Sequence, residues 1–269
     1  MLIKPTDDGK HLDINFEVEK TTKREPNKAL IRIYNLSERR RQSLSSDADI
    51  VLTAGYRGLI STIFSGDARE IYTSRIGPDI VTTIEAEDGG RSYRQAQISA
   101  SFESGVRAAD IMAACVDAMD IGRGNLSEIS QYIREDGGID TYSEGYTATG
   151  PAWRVLDGIV RSAGLTWSVQ SGVLQLKRNN RPVQTRSIRL SEGTGLIGSP
   201  TKEVGQRRRR ASQSAKYNAV AMLIPGLDPG RIVVIESRLV NGGFVIKKAK
   251  YTGSTFGEEW HAELNLEEY

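Results

Sequence analysis

The chain has almost no cysteine or histidine, few aromatic residues and no long apolar run. Its one cysteine, Cys115, excludes an intrachain disulfide and a cysteine-based metal cluster, and indicates a reducing compartment. The longest apolar runs, such as Ile232–Ile235, are far too short to span a bilayer, and the first residues, MLIKPTDDGK, do not resemble a secretory signal. We therefore expect a soluble, intracellularly made protein without a membrane anchor.

An excess of charge of either sign is also missing. The 36 basic residues are balanced by 34 acidic ones, which leaves a formal net charge of +2 and gives no general reason to expect nucleic-acid binding. Any basic function must therefore be local. The candidates, which we interpret as subunit-interface residues, are Arg39, Arg40, Arg41, Arg207, Arg208, Arg209 and Arg210.

The second arginine block, 207–210, can be interpreted in two ways. Four consecutive arginines can contact phosphate. They have no interleaved aromatic residues, which single-strand binders use for base stacking. A solvated loop, or a loop that folds against an acidic surface of a neighbouring subunit, is the favoured interpretation.

The first block follows a predicted strand in the stretch LIRIYNLSERRRQSL. Ser37 is a candidate N-cap and Glu38 favours the first turn, so we predict a short helix or turn. Arg39–Arg41 then either face a neighbouring acidic surface or form a solvated helix face.

Period-two alternation dominates both ends of the chain. In HLDINFEVEK, one face carries Leu12, Ile14, Phe16 and Val18, which predicts a half-buried strand. ALIRIYN, DIVLTAGY, STIFSG, EIYT and DIVTTIEAED follow, and YNAVAMLIPG, GRIVVIESRL, GGFVIKKAKYTG and EEWHAELNLEEY resume the pattern towards the C-terminus. Strands at this spacing are typical of a sandwich or barrel.

Helical periodicity appears between these β regions. FESGVRAADIMAACVDAMDIG predicts a helix whose apolar face is Ala109, Met112, Cys115, Val116 and Met119. TGPAWRVLDGIVRSAGL predicts a second helix, with Pro151 in its first turn and a buried stripe of Trp153, Leu156, Ile159 and Val160. LTWSVQSGVLQLKR predicts a hairpin with Ser171-Gly172 at its turn. The stretch 190–216, rich in Gly, Ser and charge, predicts a loop.

Motifs for catalysis are missing. No GxSxG, HExxH, Walker-type or dinucleotide-binding motif is present, and a catalytic role for His261 is disfavoured. Glu85, Glu87 and Asp88 stand at a strand end beside Gly89-Gly90, so we interpret them as solvated turn residues rather than a glycosidase pair. We predict no enzymatic activity, no metal and no cofactor.

Several segments together resemble the baseplate hub proteins of contractile-tailed bacteriophages. They are NKALIRIYNLSE, AGY, IFSGDAREI and IVTTIEAEDGGRSYRQAQISASFESGVRAADIM near the N-terminus, and AMLIPGLDPGRIVVIES with GGFVIKKAKYTGSTFGEEWHAELNL near the C-terminus. YTATGPAWRVLDGIVRSAGLTWSVQSGVLQLK resembles the small middle domain of the same proteins. The likeness covers nearly the whole chain and extends to the hub of type VI secretion spikes.

The resemblance implies a mainly β, α+β fold of three domains. Two domains, 1–103 and 185–269, are expected to be tail-tube-like β-barrels, the second preceded by a connector loop, and 104–184 a small α+β domain inserted between them. Three subunits would give six tube-like domains, a pseudo-hexagonal ring that joins the hexameric tail tube to the central spike. The chain lacks an obvious lysozyme, peptidase or needle-like repeat domain, so the resemblance implies no enzymatic activity.

The expected partners follow from this resemblance. They are two further copies of the chain, the tail tube protein, the spike protein, other baseplate proteins, the tape measure protein and, in passage only, DNA. The expected location is the tail baseplate of a virion assembled in the host bacterial cytoplasm. A hexameric tube connector or terminator and a tail-associated peptidoglycan-degrading enzyme are the alternatives.

For a DNA conduit we expect acidic or neutral residues on the lumen, because arginines and lysines would bind phosphate. The candidates are Asp13, Glu17 and Glu19 or Glu85 and Glu87, with both arginine blocks facing outward or sideways.

Overall fold

A computed structural model describes residues 2–7, 10–46, 48–56, 58–178, 187–203 and 215–269. The chain divides into two compact units. The first comprises Met1–Thr21, Asn27–Glu87 and Gln184–Tyr269, and the second comprises Thr22–Pro26 and Asp88–Val183. The fold is α+β and mainly β, as predicted, although the described strands do not form a closed barrel.

The N-terminal half of the first unit is built from alternating strands and one short helix. Its elements are β1 (Thr6–Asp7), β2 (Lys10–His11), β3 (Ile14–Thr21), β4 (Lys28–Tyr34), α1 (Glu38–Gln42), β5 (Asp49–Tyr56), β6 (Leu59–Ile76) and β7 (Asp79–Glu87). The predicted alternation is confirmed where β3 and β4 bury Phe16, Val18, Ile31 and Ile33.

The second unit packs helices against short sheets. Its elements are α2 (Gly90–Gln95), β8 (Gln97–Phe102), β9 (Val106–Arg107), α3 (Ala108–Ala118), α4 (Ile129–Asp136), β10 (Thr141–Tyr142), β11 (Tyr146–Pro151), α5 (Ala152–Ser162), β12 (Leu165–Gln170) and β13 (Val173–Arg178). Both predicted helices are present as α3 and α5. Pro151 is the N-cap of α5 and not part of its first turn.

The apolar stripe of α5 is only partly as predicted. Leu156, Ile159 and Val160 are buried, at 2 % exposure or less, but Trp153 is only partly buried. Its ring stacks on Tyr93 with centroids 4.9 Å apart, and the guanidinium carbons of Arg154 and Arg24 lie 5.3 and 5.9 Å from its centroid. Trp153 therefore belongs to a surface cluster of aromatic and arginine side chains.

The predicted β12–β13 hairpin is confirmed, and a buried carboxylate holds its turn. Ser171 and Gly172 have φ angles of 52° and 75°, as a type I′ turn requires. The carboxylate of Asp88 accepts the backbone N–H of Ser171 and, at 2.6 Å, that of Gly172. Asp88 is 1 % and Glu87 9 % exposed, so the prediction that these two residues are solvated was wrong.

The C-terminal half of the first unit has strands within the stretch predicted as a loop. Its strands are β14 (Ile188–Ser191), β15 (Leu196–Lys202), β16 (Lys216–Met222), β17 (Ile232–Glu236), β18 (Asn241–Ser254) and β19 (Trp260–Glu268). The loop prediction was therefore wrong for residues 190–191 and 196–202. A register shift between Ile197 and Thr201 breaks the alternation of β15 and hides this strand from pattern analysis.

The two halves of the first unit share one strand order. The N-terminal half pairs as β3-β4-β7-β6-β5, and the C-terminal half pairs as β15-β16-β19-β18-β17, with all neighbours antiparallel. Pairing of β18 with β3 joins them into an eleven-stranded sheet. Side chains from both halves, among them Phe64, Ile246 and Leu264, form one core.

Candidate assembly interface

A β-bulge with an ion pair occurs at the same place in both halves. In the N-terminal half the register of β6 on β7 shifts between Ala68 and Glu70, and Arg69 contacts Glu87 at 3.0 Å. In the C-terminal half the register of β18 on β19 shifts between Ile246 and Lys248, and Lys247 contacts Glu267 at 2.8 Å. The halves therefore repeat each other down to single positions.

The joint between the halves, which we call the seam, is the antiparallel pairing of 248–254 in β18 with 15–21 in β3. On its solvent side Lys248 lies 2.8 Å from Glu19, and Lys250 lies 2.9 Å from Glu17. The hydrogen bond to Glu17 raises the pKa of Lys250. Both lysines are thus neutralised by partners on the neighbouring strand.

A buried cation lies on the core side of the seam. Lys20 is 2 % exposed, donates to Asp228 at 2.7 Å, and its ammonium lies 5.8 Å from the centroid of the Tyr251 ring. Burial raises the pKa of Tyr251 well above its usual value. An ion pair and a π contact therefore link β3 to two parts of the C-terminal half.

The solvent face of the sheet is mixed in charge rather than acidic. The ladders place Glu17, Glu19 and Glu85 on this face, and the lining of a lumen by these residues stays a prediction. The same ladders bring basic residues to it. Charged positions on this face include Glu17, Glu19, Glu70, Glu85, Glu263, Glu267, Lys28, Arg32, Lys216, Lys248 and Lys250.

The arginine block Arg39–Arg41 lies in the last turn of α1. Positive charges are favourable there because the C-terminus of a helix carries a partial negative charge. Arg39 is exposed, whereas Arg41 donates to the carbonyl oxygen of Leu36 at 2.9 Å. Ser37 precedes the helix as predicted but makes no side-chain cap bond. The other block, Arg207–Arg210, lies outside the described residues.

Several edges of the large sheet are open within the described part of the chain, among them β15, segment 70–76 of β6, and the outer side of β5. On one side, β6 pairs with β5 only through residues 59–67, so its segment 70–76 has β7 as its one neighbour. At the other end of the sheet, β15 pairs with β16 alone. Apolar side chains are exposed beside the open edges of β6 and β15: Tyr72 (43 %), Ile76 (57 %) and Ile197 (47 %). Such edges are sites for strand pairing with another chain.

The described ranges offer little for metal chemistry or membrane insertion. They contain no cluster of three metal-ligating side chains. No helix there is long and apolar enough to cross a membrane. His261 lies 3.5 Å from Glu263 on the solvent face of β19, and Cys115 is buried, which raises the pKa of its thiol to about 12.

The family model for the baseplate hub gp41 matches residues 4–260. The chain therefore belongs to this family of baseplate hub proteins, which are structural proteins of phage tails, and the resemblance found in the sequence is confirmed. No curated protein matches the sequence.

Solved structures show the same fold at low sequence identity. The tail protein from Neisseria meningitidis MC58 is 8 % identical, with a TM-score of 0.57 and 96 % of each chain covered. The 43 kDa tail protein of prophage MuSo2 from Shewanella oneidensis is 9 % identical, with a TM-score of 0.60 and 95 % of each chain covered. The E. coli c3393 protein, a type VI secretion component, is 12 % identical, with a TM-score of 0.60 and coverage of 96 % of this chain and 73 % of that one.

The sequence pattern placed Glu17 and Glu19 on one face of a predicted strand, but it did not predict their basic partners at the seam. Lys248 and Lys250 alternate with Ala249 and Tyr251 in the predicted strand, which marks them as solvent-facing. Nothing local indicates that Glu19 and Glu17, more than 200 positions away, are their partners.

Proposed function

We propose that the chain is the structural hub of a phage baseplate and forms a homotrimeric ring between the hexameric tail tube and the central spike. In this role the N-terminal and C-terminal β segments act as two tube-like domains, and three chains supply six of them around one axis. The protein acts through assembly rather than through catalysis.

The repeated strand order of the two halves carries this proposal. A chain with two equivalent halves, joined by strand pairing, can continue a sixfold tube with three copies. The shared bulge and its ion pair support this equivalence, because bulges are specific features of a sheet rather than accidents.

The solvent face of the sheet is the proposed lining of the DNA conduit. Its lysines at the seam are held by glutamates, so they are poorly available to phosphate. A channel that passes DNA has to avoid the salt-sensitive phosphate contacts that unpaired basic residues make. The tail tube protein, the spike, other baseplate proteins and the tape measure protein are the proposed partners around this conduit.

The mass of the assembled particle tests the proposal. Native mass spectrometry is expected to give a particle of three chains of 29.6 kDa each. A six-chain particle would favour the connector or terminator ring, with twelve halves instead of six. A complex with purified tail tube protein at three hub chains to six tube chains would support the symmetry match.

A further inference from the structure

We propose that two of the open edges of the sheet pair with each other between neighbouring copies: β15 of one chain adds antiparallel to segment 70–76 of β6 in the next. The joint uses the register of the seam. The proposal rests on the trimer proposed above and names the surfaces that hold it together.

The seam shows what each open edge would bind. In β18, residues 241–245 pair with β17, and the following residues, 248–254, pair with β3. In β6, residues 59–67 pair in the same way with β5, but 70–76 have no strand on that side within the described residues. Because β3 and β15 occupy the same place in the strand order, β15 is the strand expected along 70–76.

The repeated bulge sets the register of the expected joint. It makes Glu70 the counterpart of Lys248, and therefore Ser74 the counterpart of Thr252. The ladder Glu85–Leu30–Glu17 likewise corresponds to Asn265–Asn218–Thr201. Since Thr252 pairs with Glu17 at the seam, Ser74 should lie opposite Thr201 of the neighbouring copy.

The backbone of β15 has hydrogen-bonding groups that point to the open edge and are available to such a partner strand. The N–H of Glu203 donates to Lys216 on β16, so by strand alternation the N–H of Lys202 points to the open edge. Pro200 also lies on that edge and offers only its carbonyl oxygen. A strand with one missing donor and a register break is a poor partner for arbitrary edges, which favours a single specific joint.

The side chains at the end of the joint are apolar. At the seam Ser254 pairs with Asn15, and the counterparts of this polar pair are Ile76 and Ile197. Both isoleucines are about half exposed, at 57 % and 47 %. Bringing them together would remove two isolated apolar side chains from water.

Cysteine cross-linking tests the register. Ser74 and Thr201 form a non-hydrogen-bonded pair in the expected joint, where opposite residues come closest and a disulfide can form. After mild oxidation the full-length variant Ser74→Cys, Thr201→Cys should run mainly as a covalent trimer on a non-reducing gel. The native Cys115 is fully buried and does not compete.

Control variants test whether the cross-link reports the expected pairing of Ser74 with Thr201. Each single variant should stay monomeric on the gel, and a mixture of the two should give dimers only, because the joint brings different edges together. The pair Ser74→Cys, Lys202→Cys should not cross-link, because the side chain of residue 202 points to the other face.

Native mass spectrometry and the cross-link together distinguish the proposal of a trimeric hub from the proposal of edge pairing. A three-chain particle with the Ser74–Thr201 cross-link supports both. A three-chain particle without it, or with cross-links of like positions, overturns the edge pairing and leaves the hub in place. A single-chain mass with no cross-link counts against both.

Discussion

At the scale of single residues, Trp153 shows why an apolar stripe does not guarantee burial. In helix α5 it lies three residues before buried Leu156, yet its indole packs against Tyr93 and two arginines at the surface of the unit. Asp157 completes the cluster, since it bonds to Arg24 at 2.9 Å and accepts the indole N–H of Trp167 at 3.2 Å. Tryptophan, tyrosine and arginine are the residues enriched at binding hot spots.

We predict that Trp153→Ala destabilises the protein by about 1–2 kcal/mol, because only part of the ring leaves an apolar environment. The matched variant Leu156→Ala, at a fully buried position of the same helix, should cost about 3 kcal/mol or more. Urea unfolding of both variants measures the difference. Equal losses would mean that Trp153 acts as a core residue.

Asp88 is the second residue whose role depends on burial. Asp88→Ala should cost about 2–4 kcal/mol, because two backbone N–H groups of the turn lose their acceptor inside the unit. The effect should appear as faster amide hydrogen exchange at Ser171 and Gly172. Glu85→Gln, three positions away on β7, is the control and should leave these amides protected.

At the scale of elements, the helices and the hairpin could be predicted and β15 could not. α3 and α5 are amphipathic over eleven residues each, and Ser-Gly between alternating segments is a strong turn signal. β15 instead contains Gly198 and Pro200 within a register break, so its sequence favours a loop until a partner strand is known. The helix α4 was not predicted either, although Ile129 and Ile133 are both buried on one face.

A substitution at Gly253 tests how closely the side chains at the seam are packed. A Cβ at this position would lie 2.8 Å from the Trp260 ring and closer still to the Phe16 ring, so Gly253→Ala should destabilise by about 1–3 kcal/mol. Gly243→Ala lies on the same strand with open space around it and should be nearly neutral. Thermal unfolding of the two variants checks the prediction, and similar melting temperatures would contradict it.

At the scale of the whole molecule, the sequence predicts the composition of the sheet but not its joints. The mainly β, α+β class follows from alternating segments. The pairing of β18 with β3 joins residues more than 200 positions apart, and strand register at that distance is set by the complementary faces rather than by any local pattern. The balance of charge on the solvent face could not be predicted either, because its glutamates and lysines come from strands that are far apart in the sequence.

That balance leads to a prediction for the conduit. Glu17→Gln with Glu19→Gln should release Lys250 and Lys248, so a labelled DNA duplex should bind more tightly at low salt, with a log–log salt slope steeper by about 2. Fluorescence anisotropy of the assembled ring measures this. Adding Lys248→Gln and Lys250→Gln should restore the original weak binding, and an unchanged affinity in the first variant would show that this face does not reach DNA.

The five residues Thr22–Pro26 have a consequence for how such proteins can be recombined. They belong to the second unit although they are encoded between β3 and β4 of the first, and Arg24 there pairs with Asp157. A genetic exchange of residues 88–183 alone would therefore import a unit without its own short segment and leave a carboxylate facing a foreign loop. Middle units should be transferable between related phages only when two separate stretches of the gene are exchanged together, which makes this part of the hub resistant to modular shuffling.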